Sequence, residues 1–387
     1  MEKQNKLAVI ISCFDNYSFN VRTKYVEEEL TKQGYTVKYI VSNFDHRNKK
    51  LYIPNRENVV IVHTLQYKNN LSFKRLYSHY DFSKKTIDIL KKLLPEIVYV
   101  ITPPNYLFKE ISKVKNKEFM LIYDIYDMWP EALPLSKTIK ILSTPFCSVW
   151  KHIRNKYINY ADGIIFECDL FKDKMKSIID NSIFSTIYLC KKSTSLISQY
   201  SDNSKLSLVY LGSINNIIDI ELILKMVELL SQKVEVKFNI IGIGENKNNL
   251  IQGLNDMENV EINDFGVVYD EKEKNEILHE AHFGLNIMKQ NVFVGATMKS
   301  LDYFCASLPI INNIQGDSYE IVQRHQCGIN ISLKEINCTV TKILDIFYDE
   351  IKLNNYRNNS KKVFEQYFSE ETFRDRFNDF FDKLMER

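Results

Sequence analysis

No run of eighteen apolar residues occurs in this 387-residue chain, which excludes a helix able to span a bilayer. Charge of one sign is also lacking. Lysine and arginine total 51 against 49 acidic residues, a net charge of +2, so no global field draws the chain to nucleic acid. Seven cysteines (13, 147, 168, 190, 305, 327, 338) include no CxxC pair, which argues against a zinc ribbon or a disulfide framework and for buried thiols in a reducing cytosol. Glycine is scarce, 11 residues against 23 Tyr and 23 Phe, and this excludes low-complexity disorder. The opening MEKQNKLAVIISCFDNYS turns polar too soon for a secretory signal, so the expected location is cytoplasmic.

What is present is the balance of a globular protein, 45% hydrophobic and 26% charged, with length for two or three domains. KLAVIISC (6–13), YTVKYIVS (35–42), VVIV (59–62), IVYVI (97–101), FMLIYDI (119–125), GIIFEC (163–168) and STIYLC (185–190) read as buried strands. Helical patterns separate most of them, the first being NVRTKYVEEELTKQG (20–34) with Gly34 as its stop. Continuous apolar strands alternating with helices imply a parallel sheet covered on both faces. The polar stretch KKSTSLISQYSDNSKL (191–206) reads as a linker, after which LSLVYLG (206–212), VEVKFNIIGIG (234–244), FGLNIM (283–288) and PIINN (309–313) restart the alternation. The expected fold is α/β, with two doubly wound Rossmann-like domains facing a cleft. The first covers 1–195 and the second 206–363, and an aromatic C-terminal helix, 364–387, crosses back to the first.

The segment TMKSLDYFCASLPII (297–311) resembles the Lys-x-x-Glu-Tyr-x-x-x-Gly-x-Pro helix and strand of family 4 glycosyltransferases, which have the two-Rossmann GT-B architecture. GINI (328–331) is similar to the family's segment after that donor-site helix. YKNNLSFKRLYSHYDFS (67–83) and YDIYDMWPEALP (123–134) resemble a subgroup that builds bacterial cell-surface polysaccharides. The chain departs from the pattern at Asp302 for Glu, Ser307 for Gly, Val294 for the first Glu of a Glu-x7-Glu motif, and CFDNYSFN (13–20) for a glycine-rich loop. GSINNIIDIELIL (212–224) also lacks the family's basic pair. The resemblance implies a retaining, metal-independent transferase without a cofactor. Its donor would be a nucleotide sugar, most simply a UDP-sugar, and its acceptor lipid-linked or a glycan at the inner face of the membrane.

Retaining transfer requires stabilisation of the leaving diphosphate, which cations and helix N-termini supply. Thr297 is a candidate N-cap, Met298 starts the helix, and Lys299 in its first turn can add a full charge. Asp302, one turn on, can accept the ribose hydroxyls. The bland alternative is a Lys299–Asp302 surface pair worth under about 1 kcal/mol. Gly212 and Ser213 can bring backbone N–H groups to the phosphates, and the resemblance implies a place near the nucleotide base for Gly242. In the first domain Asp127 is the candidate to take or orient the acceptor proton. Asn16, Asn70, Arg75 and Glu131 are candidates to hold the acceptor. The alternatives are a plain strand–helix turn for Gly212 and Ser213, a local turn cap for Asp127, and exposed helix residues without a role for Arg75 and Asn70, and Asp317 and Glu320 are read as solvated caps.

Three further signals carry less. HEAH (279–282) reads as a surface histidine pair on a helix, since zinc needs a third ligand. NDFGVV (263–268) reads as a strand-end turn. SKTIKILSTPFCSVWKHIRNKYINY (136–160) reads as two helices broken at Pro145, with a peripheral membrane contact as its second reading. Two rival functions remain: a sugar-nucleotide epimerase of the same architecture, and a non-catalytic transferase-like partner.

Overall fold

Ala8, Val9, Ile10 and Ile11 are all fully buried, as a strand sheathed on both faces of a parallel sheet requires. They belong to a computed structural model that describes residues 6–14, 21–54, 56–69, 72–115, 118–133, 135, 137–180, 182–193 and 204–387, with residues 21, 137–140 and 142 described by backbone alone. The chain divides into two compact units, Met1–Tyr188 with Phe373–Arg387, and Leu189–Thr372.

The first unit runs β1 (Leu7–Ser12), α1 (Val21–Lys32), β2 (Thr36–Ser42), a small hairpin β3 (Phe44–Asp45) and β4 (Lys50–Leu51), β5 (Val59–Val62), α2 (Phe73–Leu93), β6 (Ile97–Thr102), α3 (Tyr106–Ser112), β7 (Met120–Ile125), α4 (Lys137–Tyr157), β8 (Gly163–Phe166), α5 (Asp169–Met175) and β9 (Ile183–Thr186). Its seven-stranded sheet has the order β5-β2-β1-β6-β7-β8-β9, every pair parallel. The second unit runs β10 (Leu206–Leu211), α6 (Ile220–Ser231), β11 (Val236–Ile241), α7 (Lys247–Asn255), β12 (Val260–Gly266), α8 (Glu271–His279), β13 (Phe283–Asn286), α9 (Met298–Cys305), β14 (Ile310–Asn312), α10 (Asp317–His325), β15 (Gly328–Asn330), α11 (Ile336–Phe347) and α12 (Glu350–Val363). Its sheet order is β12-β11-β10-β13-β14-β15, again parallel. Both orders reverse beside the first strand of the unit. Each unit is thus Rossmann-like, and each has a switch point at which ligands of such sheets bind. The two-domain α/β expectation holds.

Four local expectations are corrected. The strand expected at 185–190 is Ile183–Thr186, and the Ile187 carbonyl beyond it accepts a bond from Arg22 instead of continuing the ladder. The helix expected to break at Pro145 is continuous over Lys137–Tyr157. HEAH is not a surface pair. Its helix ends at His279, and His282 is fully buried, with Nδ1 accepting the Ser207 N–H at 2.9 Å. The aromatic tail is not one helix. A π-helical turn, Phe364–Phe368, stops at extended Ser369, and only α13 (Glu370–Met385) follows. Lys191 pairs with Ser369 there as an isolated bridge within the second unit. From Phe373 onward the tail belongs to the first unit, where Phe373, Phe377, Phe380, Phe381 and Leu384 are buried. Gly163 admits this helix, because a Cβ there would lie 2.5 Å from the Phe380 ring.

The core of the first unit contains an ion pair. Arg22 on α1 donates through Nε and Nη2 to Asp124 on β7 at 2.5 and 3.0 Å, and through Nη1 to the Ile187 carbonyl at 2.8 Å. The Tyr99 hydroxyl donates to the same carboxylate at 2.6 Å. Arg22 and Asp124 are 2% and 0% exposed, so removing one partner strands a charge without water. Arg22→Met is expected to cost about 3–5 kcal/mol in denaturant unfolding, and the double variant Arg22→Met/Asp124→Leu much less.

Candidate functional site

The switch point of the first unit opens into a cavity of about 240 Å³. Ser12 and Phe14 line it from the end of β1, Thr102 and Pro103 from the end of β6, and Tyr126 and Asp127 from the end of β7. His46 and Arg47, beside the small hairpin, and Arg75 and Trp129 complete much of the wall. Asp127 is the one carboxylate among these lining residues. Its Oδ2 accepts the Trp129 indole N–H at 2.7 Å. Burial pushes its carboxyl up to about 6, opposed by the Trp129 and Met128 N–H groups and by the Arg75 charge. His46 is pulled down to about 4 by burial and then by Arg75, Arg47 and Lys49, so it is neutral at pH 7. The wall therefore presents guanidinium groups, a neutral imidazole and a carboxyl that loses its proton near pH 6. That combination can hold an anion and accept a proton.

Local sequence positions these groups. Ser72 caps α2, its Oγ accepting the Arg75 N–H at 3.3 Å, which sets the first turn that carries Arg75. The Arg75 guanidinium lies 4.5 Å from the Trp129 ring centroid. Trp129 also stacks on Trp150 of α4, with centroids 5.9 Å apart and planes 16° apart. The loop carrying Asp127 and Trp129 is clamped by Arg154 of α4, which is 1% exposed. Arg154 donates to the Trp129 carbonyl at 2.8 Å and to both Glu131 oxygens at 2.7 and 3.0 Å. Both Glu131 oxygens are thus engaged, and the residue does not line the cavity. Asn16 and Asn70 lie outside the described residues, as does most of the expected linker, 194–203.

In the second unit, α9 carries Lys299 and Asp302, but the two side chains diverge. Thr297 is the N-cap, in a reciprocal box with Ser300: Ser300 N–H donates to Thr297 Oγ1 at 3.2 Å, and Thr297 N–H to Ser300 Oγ at 3.3 Å. An asparagine ladder holds this cap. Thr297 Oγ1 donates to Asn286 Oδ1 at 2.7 Å, Asn286 Nδ2 to Asn312 at 2.9 Å, and Asn312 Nδ2 to Asn330 at 2.7 Å. The three asparagines end β13, β14 and β15 in register. Met298, in the next position, is 53% exposed. Lys299 is buried, with Nζ 4.4 Å from the Tyr210 ring centroid and 3.2 Å from the Tyr210 hydroxyl. Tyr210 in turn donates to the Ser213 carbonyl at 3.0 Å, so Lys299, Tyr210 and Ser213 form one chain at the end of β10. Burial pulls the Lys299 amine down to about 7. Asp302 instead meets Lys191 at 2.5 Å and Lys274 at 3.2 Å, and both lysines also bind Glu271. The Lys299–Asp302 pair is not formed among the described residues.

The glycines at the strand ends have a backbone role. Gly242 has φ +145° and a Cβ there would lie 2.0 Å from the Gly212 oxygen. The Gly212 N–H donates to the Ile241 carbonyl at 2.8 Å and the Gly242 N–H to Gly266 at 2.6 Å, so both donors are spent within the loops. Ser213 is exposed. Asp317 is buried at the start of α10, against the expectation of a solvated cap, whereas Glu320 is exposed. Sequence reasoning missed His46, Arg47, Tyr210, Lys191, Lys274 and the asparagine ladder. The ladder had a signal, since FGLN, PIIN and GIN each end on Asn. Among the described residues, no three or more His, Cys, Asp and Glu side chains are grouped to hold a metal, and no helix is long and apolar enough to cross a membrane.

No family model matches the sequence, and no curated protein matches it. Solved structures do. Sucrose-phosphate synthase from Thermosynechococcus elongatus is similar with a TM-score of 0.71 and 12% identity, over 99% of this chain and 100% of that one. HepE of Anabaena in complex with UDP is similar with a TM-score of 0.66 and 11% identity, over 98% and 100%. A TarM point mutant of S. aureus, in complex with fondaparinux, alpha-GlcNAc-glycerol and UDP, gives 0.58 and 15% identity over 82% of this chain, which spans 59% of that longer one. At such identities the likeness establishes the fold, two Rossmann-like α/β units.

The raised Asp127 carboxyl makes the stability of the fold depend on pH. A carboxyl held above its unfolded value of 3.8 contributes stability that is complete below about 4 and lost as pH rises through about 6. Asp127→Asn removes that loss. The variant is expected to gain up to about 3 kcal/mol over the parent at pH 7.5, seen as a higher Tm, and to match it near pH 4.

Proposed function

We propose that this chain is a glycosyltransferase that moves a sugar from a nucleotide-sugar donor, most simply a UDP-sugar, to a lipid-linked or glycan acceptor. The proposal places the donor on the second unit and the acceptor on the first. The observation that carries it is the chemistry at the two switch points. One ends in a cation-lined cavity with a poised carboxyl, and the other in a capped helix start with a buried lysine beside it. HepE and the TarM mutant, which share the fold, were both seen with UDP.

In this reading the start of α9 and Lys299 stabilise the leaving diphosphate. Thr297 supports them as the cap, and Met298, Gly212, Ser213 and Gly242 form the surrounding wall. A lysine near pH 7 in its proton affinity, held over an aromatic face, gains its charge when a dianion arrives beside it. Asp302 retains its proposed role toward the ribose, with Lys191 and Lys274 orienting its carboxylate. Asp127 takes the acceptor proton and Arg75 holds an acceptor anion, with Glu131 acting through Arg154. Asn16 and Asn70 remain proposed acceptor contacts. Transfer proceeds with retention and without a metal, at the cytoplasmic face of a membrane in cell-surface polysaccharide synthesis.

His46 supports a second reading, because it lines the same cavity as Asp127 and a histidine with a carboxylate is the equipment of a sugar-nucleotide epimerase. Incubation with a UDP-sugar and no acceptor separates the two, since an epimerase turns over and a transferase does not. A thermal-shift screen against UDP, GDP, ADP and their sugars tests the donor site, with UDP ligands expected to raise Tm. A chain that binds no nucleotide and associates with another transferase would be a non-catalytic partner. Lys299→Met is expected to lower kcat/KM for transfer by about 100-fold or more with Tm unchanged or higher. Transfer in the parent is expected to rise as pH climbs through about 6, where Asp127 ionises, and to lose that rise in Asp127→Asn. Near-parental turnover in both variants would refute the assignment.

A further inference from the structure

A second cavity, of about 330 Å³, adjoins the first in the amino-terminal unit and shares Arg75 and Trp129 with it. Its wall is almost entirely carbon. Phe73 and Leu76 come from the start of α2, Leu135 from the chain before α4, and Phe146 and Trp150 from α4. Phe73 and Phe146 meet edge to face across it at 5.8 Å, and they are 75% and 56% exposed. Ile141 and Val149 on α4 are also exposed, at 74% and 56%. Apolar side chains of this size at the surface mark a place where something apolar is bound.

The occupant follows from the chemistry on the two sides of the wall that the cavities share. One end is a polar chamber with Arg47, Arg75 and Asp127, and the other is apolar, with the Arg75 guanidinium at the shared wall. A ligand that meets Arg75 and lies along the apolar wall beside it is an amphiphile, with an anionic group next to a hydrocarbon chain. Guanidinium groups favour phosphate at that junction. At the ~30 Å³ that one water molecule occupies in the liquid, the apolar cavity has room for roughly ten methylene groups. We propose that this groove holds the first carbons of a lipid chain whose phosphate or diphosphate lies at Arg75, so that the acceptor is a lipid-linked phosphate and not a free glycan. The proposal rests on the transferase reading and specifies its acceptor.

The chain contains two tryptophans, Trp129 and Trp150, and both line the groove, so intrinsic fluorescence reports on this site directly. Decyl phosphate, kept below its micelle concentration, is titrated into the full-length protein. The expected result is a saturable change in emission, with affinity at least tenfold above that for decanol or for inorganic phosphate. Phe146→Asp, an exposed position on α4, is expected to weaken decyl phosphate binding at least tenfold while leaving the UDP-induced rise in Tm unchanged. Equal affinity for inorganic phosphate, no saturable change, or parental affinity in Phe146→Asp each overturns the groove. So does binding to anionic vesicles without binding to the monomeric amphiphile. Failure of the two ideas is distinguishable. If Phe146→Asp transfers to a lipid-linked acceptor at the parental rate, the groove is wrong and the transferase stands. If decyl phosphate binds as expected but no nucleotide sugar is turned over, the transferase is wrong and the lipid-phosphate site stands.

Discussion

A parallel sheet packed by helices on both faces leaves its polar chemistry one outlet, the loops beyond the carboxyl ends of the strands. Both units obey this constraint with the same core order, in which the first strand has its successor on one side and the fourth core strand on the other. Connections leave that junction in opposite directions and open a crevice. Ser12, Thr102 and Asp127 in one unit, and Ser213, Thr297 and Lys299 in the other, stand at or just beyond those strand ends or on the helix that comes next. Nowhere along the buried strand interiors is there solvent for such groups.

The outlet alone does not give a working geometry, since loops are soft unless something holds them. In the first unit the loop carrying Asp127 is fixed from behind by Arg154, which satisfies a main-chain carbonyl and both oxygens of Glu131. In the second unit three asparagines, one at the end of each of three adjacent strands, pass a hydrogen-bond chain to the cap of α9. Arg154, Asn286, Asn312 and Thr297 are buried and hydrogen-bonded, with Glu131 and Asn330 half-buried at the margins, and a satisfied buried polar network rigidifies instead of destabilising. The same burial tunes the ionisable groups in opposite directions. It raises the Asp127 carboxyl to about 6 and lowers the Lys299 amine to about 7, bringing both toward neutrality.

Two positions at which the sequence differs from the family 4 pattern that it resembles acquire physical content in the structure. Ser307, where a glycine is usual, has φ +55°, so the left-handed turn before β14 is kept at the strain a side chain imposes. Asp302, shorter than glutamate by one methylene, does not extend alone; Lys191 and Lys274 grip it. Lys191 lies in the segment just after the unit boundary and bridges to Ser369 near the other boundary, so α9 is tied to the two stretches of chain that pass between units.

The sequence by itself determined what depends on neighbours along the chain. Continuous apolar runs specified strands, 3.6-residue periodicity specified helices, Thr297 specified a helix start and Gly34 a stop, and together these implied two α/β units. Tertiary structure decided every question of partnership. Lys299 and Asp302 share a helix face by spacing, yet one turns to Tyr210 and the other to two lysines distant in sequence. His282 left its helix for the core, His46 arrived beside Asp127, and Glu131 was claimed by Arg154. The reason is physical: local preference for one backbone conformation over another differs between residue types by about tenths of a kilocalorie and is written in the neighbouring residues, whereas a charge taken out of water accepts whichever partner the fold brings within about 3 Å.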